Sequence, residues 1–227
     1  MIKAIFFDAA GTLIYLPRSV GEHYREVAAR FGADLDADAL DRAFREAWHA
    51  APARLSQDTP RPDDDKGWWR TLVDDVLARV LTGEQAARFD GKAFFEAAYA
   101  HFAEPGVWQA YPEAPATLEA LRAHGYRLAV ISNFDRRLYR VLDDLGLRRF
   151  FDAMIVSSEV GADKPDPRIF SRALQTLQVA AAEAWHVGDD PKRDGGAEAI
   201  GLRVFRLDRP RQTLGDLLAT LAANDRP

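Results

Sequence analysis

The feature that most constrains this chain is its first apolar run, Ile2-Lys3-Ala4-Ile5-Phe6-Phe7, which ends in Asp8-Ala9-Ala10-Gly11-Thr12-Leu13. A short, β-rich run of this kind reads as a buried strand of a parallel sheet, and such a strand needs partners. None is near in the sequence. Between residues 20 and 105 the apolar period is helical. Tyr24, Val27, Ala28 and Phe31 mark one helix, and Leu40, Ala43, Phe44, Ala47 and Trp48 a second. Trp69, Leu72, Val73, Val76, Leu77 and Val80 mark a third, closed by Gly83, and a fourth runs from about Gly91 to Phe102. Residues 51 to 67, rich in Pro and Asp, read as a loop. The strands the first run needs come only later.

From Tyr111 the rhythm becomes helix then strand, repeatedly. Strands are expected at Arg127 to Ile131, Ala153 to Val156, Trp185 to Val187 and Val204 to Leu207, with helices between them and a closing helix through Leu214 and Leu221. This alternation predicts a parallel sheet covered on both faces. One α/β domain, residues 1–16 and 108–227, is therefore interrupted by an all-α module, residues 17–107.

Composition narrows the chemistry. With no cysteine among 227 residues, disulfides and thiolate metal sites are excluded. A net charge of −5 with no basic block argues against nucleic acid as a partner. No apolar run reaches membrane-spanning length, and the N-terminus enters the first strand directly, so a cytoplasmic protein is expected.

Polar residues gather where the strands are expected to end, the place where open α/β sheets bind ligands. Asp8 follows the first strand and can serve as nucleophile or metal ligand. Ser132-Asn133 follow the second, offering a hydroxyl and backbone amides to an anion, or simply a helix cap. Lys164 lies in the loop after the third, between Asp163 and Pro165, where an ammonium can neutralise an anionic substrate or pair with its acidic neighbours. Gly188-Asp189-Asp190 through Asp194 follow the fourth, and their hard oxygens, added to Asp8, suit Mg²⁺.

These four segments resemble the haloacid dehalogenase-like (HAD) hydrolase superfamily. The likeness covers essentially the whole chain. Val20-Gly21 with Tyr24, Trp68-Trp69-Arg70, Ser132-Asn133-Phe134-Asp135 and Glu159-Val160-Gly161 with Lys164-Pro165-Asp166-Pro167 fit its rhythmically-expressed-gene-2-like branch. The resemblance implies a Rossmann-like core with a five-stranded parallel sheet of order 5-4-1-2-3 and a helical cap over the active site. It further implies attack by Asp8 through an aspartyl intermediate. Ser132, Asn133 and Lys164, with the backbone of Ala9 and Ala10, would hold the phosphoryl group. Asp8, the Ala10 carbonyl and Asp189 would hold Mg²⁺, with Asp194 in or near the layer of residues behind those ligands. A small phosphorylated metabolite is the expected substrate, and the protein is expected as monomer or homodimer.

One position departs from that pattern. Phosphatases of the superfamily carry a second Asp where this chain has Ala10, and loss of a general acid–base typically costs about a hundred- to ten-thousandfold in rate. A phosphatase acting on good leaving groups, or one with an acid–base group in the cap such as Glu22, His23 or Asp63, accommodates Ala10. So does a 2-haloacid dehalogenase, although the dehalogenases resembled carry an aromatic residue there and use no metal. A phosphonate C–P hydrolase also carries Ala but needs a Schiff-base lysine, for which the cap offers Lys66 and Lys92. A ligand- or partner-binding relic with little turnover is the non-enzymatic alternative, with Trp68-Trp69 as its contact patch; otherwise Trp69 packs the cap's core and Trp68 lines the cleft beneath it.

Overall fold

The computed structural model describes residues 1–224. Its main sheet has five strands: β1 (Ala4–Phe7), β4 (Arg127–Ser132), β5 (Ala153–Val156), β6 (Ala184–Gly188) and β7 (Arg203–Arg206). They lie in the order β5-β4-β1-β6-β7, and every pairing is parallel. Numbering these five alone along the chain and reading from the β7 edge gives 5-4-1-2-3. What the sequence did not reveal is a second, two-stranded antiparallel sheet of β2 (Ile14–Tyr15) and β3 (Gln109–Ala110). Two-residue strands carry too few side chains for a readable period.

β1 is the central strand, and all four of its residues are buried. Ala4 and Phe6 pack with Ala129, Ile131 and Ile155 against Ile169, Phe170, Ala173 and Leu177 of α9 (Pro167–Leu177). α6 (Ala114–Ala123), α7 (Arg137–Asp144) and α10 (Leu214–Asn224) complete the helices of this unit, with a four-residue helix α8 (Ser157–Val160). The helix expected between the last two strands is a 3-10 run, Asp194–Ile200. Phe7 is level with both Val130 and Val187, so Asp8, Ser132 and Asp189 emerge at one end of the sheet.

A second unit, Leu16–Arg54 with Asp65–Trp108, is all helical. It comprises α1 (Val20–Ala29), α2 (Ala37–Ala50), α3 (Lys66–Val80), α4 (Gly83–Arg88) and α5 (Gly91–His101). Gly83 therefore opens a short helix as well as following α3. Tyr24, Val27, Leu40, Leu72, Val76, Phe94 and Phe95 form its core, and both Trp68 and Trp69 pack against that core. The Arg54 guanidinium lies 4.1 Å from the Trp68 ring centroid.

Leu55–Asp64 groups with the sheet unit, although an insert of 17–107 would assign it to the helices. Its backbone is bound there directly: Gln57 N donates to Gly161 O at 2.9 Å and Arg61 N to Ser158 O at 2.7 Å. The Arg61 side chain, 5% exposed, pairs with Asp163 at 3.1 Å and donates from Nε to Leu55 O. Among the described residues no helix is long and apolar enough to cross a membrane.

Candidate active site

Asp8 is held at the end of β1 by its backbone N–H, which donates to Val187 O at 2.9 Å. The chain then turns at once, and the N–H groups of Thr12, Leu13 and Ile14 converge on Ala9 O at 3.3, 2.8 and 3.0 Å. Gly11 makes the turn possible with φ at +87°. It also leaves room above itself: a Cβ there would stand 2.3 Å from Asp189 Oδ2. Thr12 Oγ1 donates to Asp189 Oδ1 at 3.1 Å. Asp189 is thus drawn over the loop that carries Asp8.

Asp8 Oδ1 accepts from Ala9 N at 2.7 Å and lies 2.9 Å from Lys164 Nζ. Both contacts fall on one oxygen, which leaves Oδ2 available. Lys164 is 1% exposed at its side chain, and Nζ also lies 2.6 Å from Asp194 Oδ1. Burial alone pulls the ammonium pKa down, but the Asp8 and Asp194 carboxylates outweigh it and the net direction is up. Burial pushes Asp194 the other way, yet the His186 hydrogen bond and the Lys164 charge hold it well below the usual carboxylate range.

The Asn133 amide is engaged with the backbone of Lys164. Its Nδ2 donates to Lys164 O at 2.9 Å, and its Oδ1 accepts from Lys164 N at 2.6 Å. Ser132 ends β4 almost fully buried, and among the described residues none hydrogen-bonds its hydroxyl. Asp190 caps the turn after β6, accepting from the N–H groups of Lys192 and Arg193.

Asp8, Asp189 and Asp194 each place an oxygen within 4.8 Å of the other two. Hard oxygens at this spacing fit a Mg²⁺-sized cation, which takes one or two carboxylates and keeps several waters. The three are not equal, however. Asp194 spends Oδ1 on Lys164 and His186 and Oδ2 on Asp190 N, at 3.0 Å. Asp189 is raised above the ordinary carboxylate pKa, first by burial and then by the negative charge of Asp8. A cation between Asp8 and Asp189 would relieve that repulsion.

Two site residues escaped the sequence. His186 donates from Nε2 to Asp194 Oδ1 at 2.8 Å, and the one available signal was a polar ring inside an apolar strand. Arg209 donates to the carbonyls of Gly11 and Thr12 at 3.2 and 2.9 Å and pairs with Glu113 at 2.8 Å. No local pattern could join residues so distant in the chain.

The other group with metal-ligand chemistry, His23, Glu26 and His101, belongs to the helical unit. Arg18 Nη2 already lies 3.1 Å from His23 Nδ1 and 2.7 Å from Glu26 Oε2, which supplies a cation there. Glu22, for its part, closes a capping box with Ser19.

Residues 2–201 match the haloacid dehalogenase-like hydrolase family. The chain belongs to that family. It is 38% identical over 218 residues to bovine haloacid dehalogenase-like hydrolase domain-containing protein 3, covering 92% of this chain and 83% of the relative. To the Drosophila melanogaster rhythmically expressed gene 2 protein it is 30% identical, covering 85% and 77%. A Thermus thermophilus phosphoserine phosphatase is 42% identical over 116 residues, covering 50% and 47%. Among solved structures, a defluorinating L-2-haloacid dehalogenase superposes with a TM-score of 0.76 at 22% identity, covering 97% of this chain and 95% of that one. This HAD-like hydrolase thus shares its fold with an enzyme whose leaving group is a halide and part of its sequence with one named for a phosphate ester.

Proposed function

We propose that the protein is a Mg²⁺-dependent phosphatase-type hydrolase acting on a small phosphorylated metabolite whose leaving group departs without strong protonation. The observation that carries this is the pairing of a buried cation and a crowded anion around one nucleophile. Lys164 Nζ sits 2.9 Å from Asp8 Oδ1, while Asp189 is pushed above the ordinary carboxylate pKa by desolvation and then by the negative charge of Asp8. A metal-independent dehalogenase has no use for that second carboxylate.

Asp8, Asp189 and the Ala10 carbonyl would hold the ion, which when bound screens Asp8 from the substrate's negative oxygens. Lys164, with the backbone N–H groups after Asp8 and Ser132, would bind those oxygens. Asp8 attacks phosphorus with a carboxylate oxygen, the bond to the leaving oxygen breaks, and that oxygen departs with the electron pair. Water then attacks the phosphorus of the aspartyl phosphate, and Asp8 regains its carboxylate as phosphate leaves. With Ala10 in place of a carboxylic acid, neither step receives a proton shuttle from that position.

The other chemistries find less support. Lys66 is paired with Glu96 at 2.6 Å and Lys92 is exposed, so neither is desolvated as an amine nucleophile requires. The test is release of phosphate from an aryl phosphate and of chloride from L-2-chloropropionate, each with Mg²⁺ and with EDTA. Metal-dependent phosphate release, lost in Asp8→Asn and raised in Ala10→Asp, supports the proposal. Metal-independent chloride release would establish a dehalogenase, and turnover of neither would leave a binding protein.

A further inference from the structure

His186 occupies the middle of β6 and is fully buried, its ring edge-on to Phe170 with centroids 5.2 Å apart. Its Nε2 meets Asp194 Oδ1 at 2.8 Å. That oxygen belongs to a carboxylate, so the hydrogen is on Nε2 and Nδ1 carries a bare lone pair. Among the described residues Nδ1 has no hydrogen-bond partner. A buried acceptor without a partner is a cost, so packing alone does not account for an imidazole here. Leucine or phenylalanine would fill the same apolar space.

What the ring adds is a donor to Asp194. Three donors from three places in the chain converge on that carboxylate: His186 Nε2 from the strand, Lys164 Nζ from the loop after α8, and Asp190 N from the turn. Gly188 clears the space for it, since a Cβ there would stand 2.1 Å from Asp194 Oδ2. The carboxylate is thereby fixed in position and plane, and Lys164 is fixed with it. We propose that His186 is a positioning residue that sets, through Asp194, where the Lys164 ammonium stands over Asp8. The site's affinity for phosphoryl oxygens then depends on a side chain that never meets substrate. The affinity part rests on the phosphatase-type function; the placement of Lys164 does not.

The experiment compares the full chain with His186→Gln, His186→Phe and His186→Asn. Glutamine can place an amide N–H where Nε2 stands, phenylalanine removes the donor, and asparagine offers one too short to reach Asp194. Proteins labelled with ¹⁵N-lysine report the buried Lys164 ammonium directly by NMR, the signal being assigned by its loss in Lys164→Arg. The signal should persist in His186→Gln and broaden or vanish in His186→Phe and His186→Asn. Affinity for inorganic phosphate should fall about tenfold or more in the latter two and stay within about threefold of wild type in the glutamine variant. If His186→Phe does not fold, His186→Asn carries the test. An unchanged lysine signal and unchanged phosphate affinity in a folded donor-less variant would overturn the proposal. A wild type that holds the lysine signal but hydrolyses no phosphate ester would reject the proposed reaction and leave the placement of Lys164 standing.

Discussion

Asn133 and Lys164 are joined through both ends of one amide: Asn133 Nδ2 donates to the Lys164 carbonyl and Asn133 Oδ1 accepts from the Lys164 N–H. The asparagine thus mimics a strand neighbour, holding the backbone from which the critical ammonium projects. Asn133→Ala should leave the protein folded and lower kcat/KM for an aryl phosphate by about ten- to a hundredfold, as removal of a supporting shell does. Steady-state kinetics beside a thermal melt will check it. A variant as active as wild type would show that the loop holds Lys164 unaided.

Gly11 has two reasons to be glycine, its φ of +87° and the Asp189 carboxylate above it. Gly11→Ala should cost about 1 to 2 kcal/mol of stability from backbone strain. More tellingly, it should push Asp189 aside and raise the Mg²⁺ concentration needed for half-maximal activity. A Mg²⁺ titration separates the two effects, because strain alone leaves the metal requirement unchanged.

Arg61 is buried in the sheet unit, bridging Asp163 and the Leu55 carbonyl. Arg61→Ala leaves both without their cation. Unfolding in urea should show a loss of about 2 to 4 kcal/mol, somewhat below the roughly 3 to 5 of a fully buried pair because the Asp163 side chain is 22% exposed. A change below half a kilocalorie would mean that the segment holds by its backbone bonds alone.

His23 is held neutral in the folded protein, its pKa lowered to about 4 by burial, then by Arg18 and His101. The unfolded chain takes up this proton near pH 6.5, the folded protein only near 4. Unfolding therefore gains protons as pH falls between those values, and stability must decline over that window. Melting at pH 7.5 and 5.0 should show the drop, and His23→Phe should flatten it. An equal drop in the variant would place the effect on other groups.

The parallel sheet and the strand-end positions of Asp8, Ser132, Lys164 and Asp189 were legible because each rests on a short-range signal: an apolar run, a turn, a polar residue after it; the order of the strands came only with the family resemblance. Contacts that depend on side-chain direction were not. Asn133 looks equally suited to bind an anion or to brace a loop, and only its register beside Lys164 shows that it braces one. Asp194 was expected at or just behind the metal ligands, and only the fold shows that its oxygens face a lysine, a histidine and a backbone N–H. The acid whose pKa is raised is Asp189, and nothing in the run Gly188-Asp189-Asp190 separates it from its neighbour.

The segment Leu55–Asp64 carries a consequence for how such proteins can be recombined. The chain passes between its two units at four points, after Tyr15, Arg54, Asp64 and Trp108, where a simple insertion would need two. Excising residues 17–107 to make a minimal catalytic unit would also remove the backbone partners of Ser158 and Gly161 and the counter-ion of Asp163. Swapping one helical unit for another is a graft with two pieces, 16–54 and 65–108, and the ten residues between them must stay with the recipient.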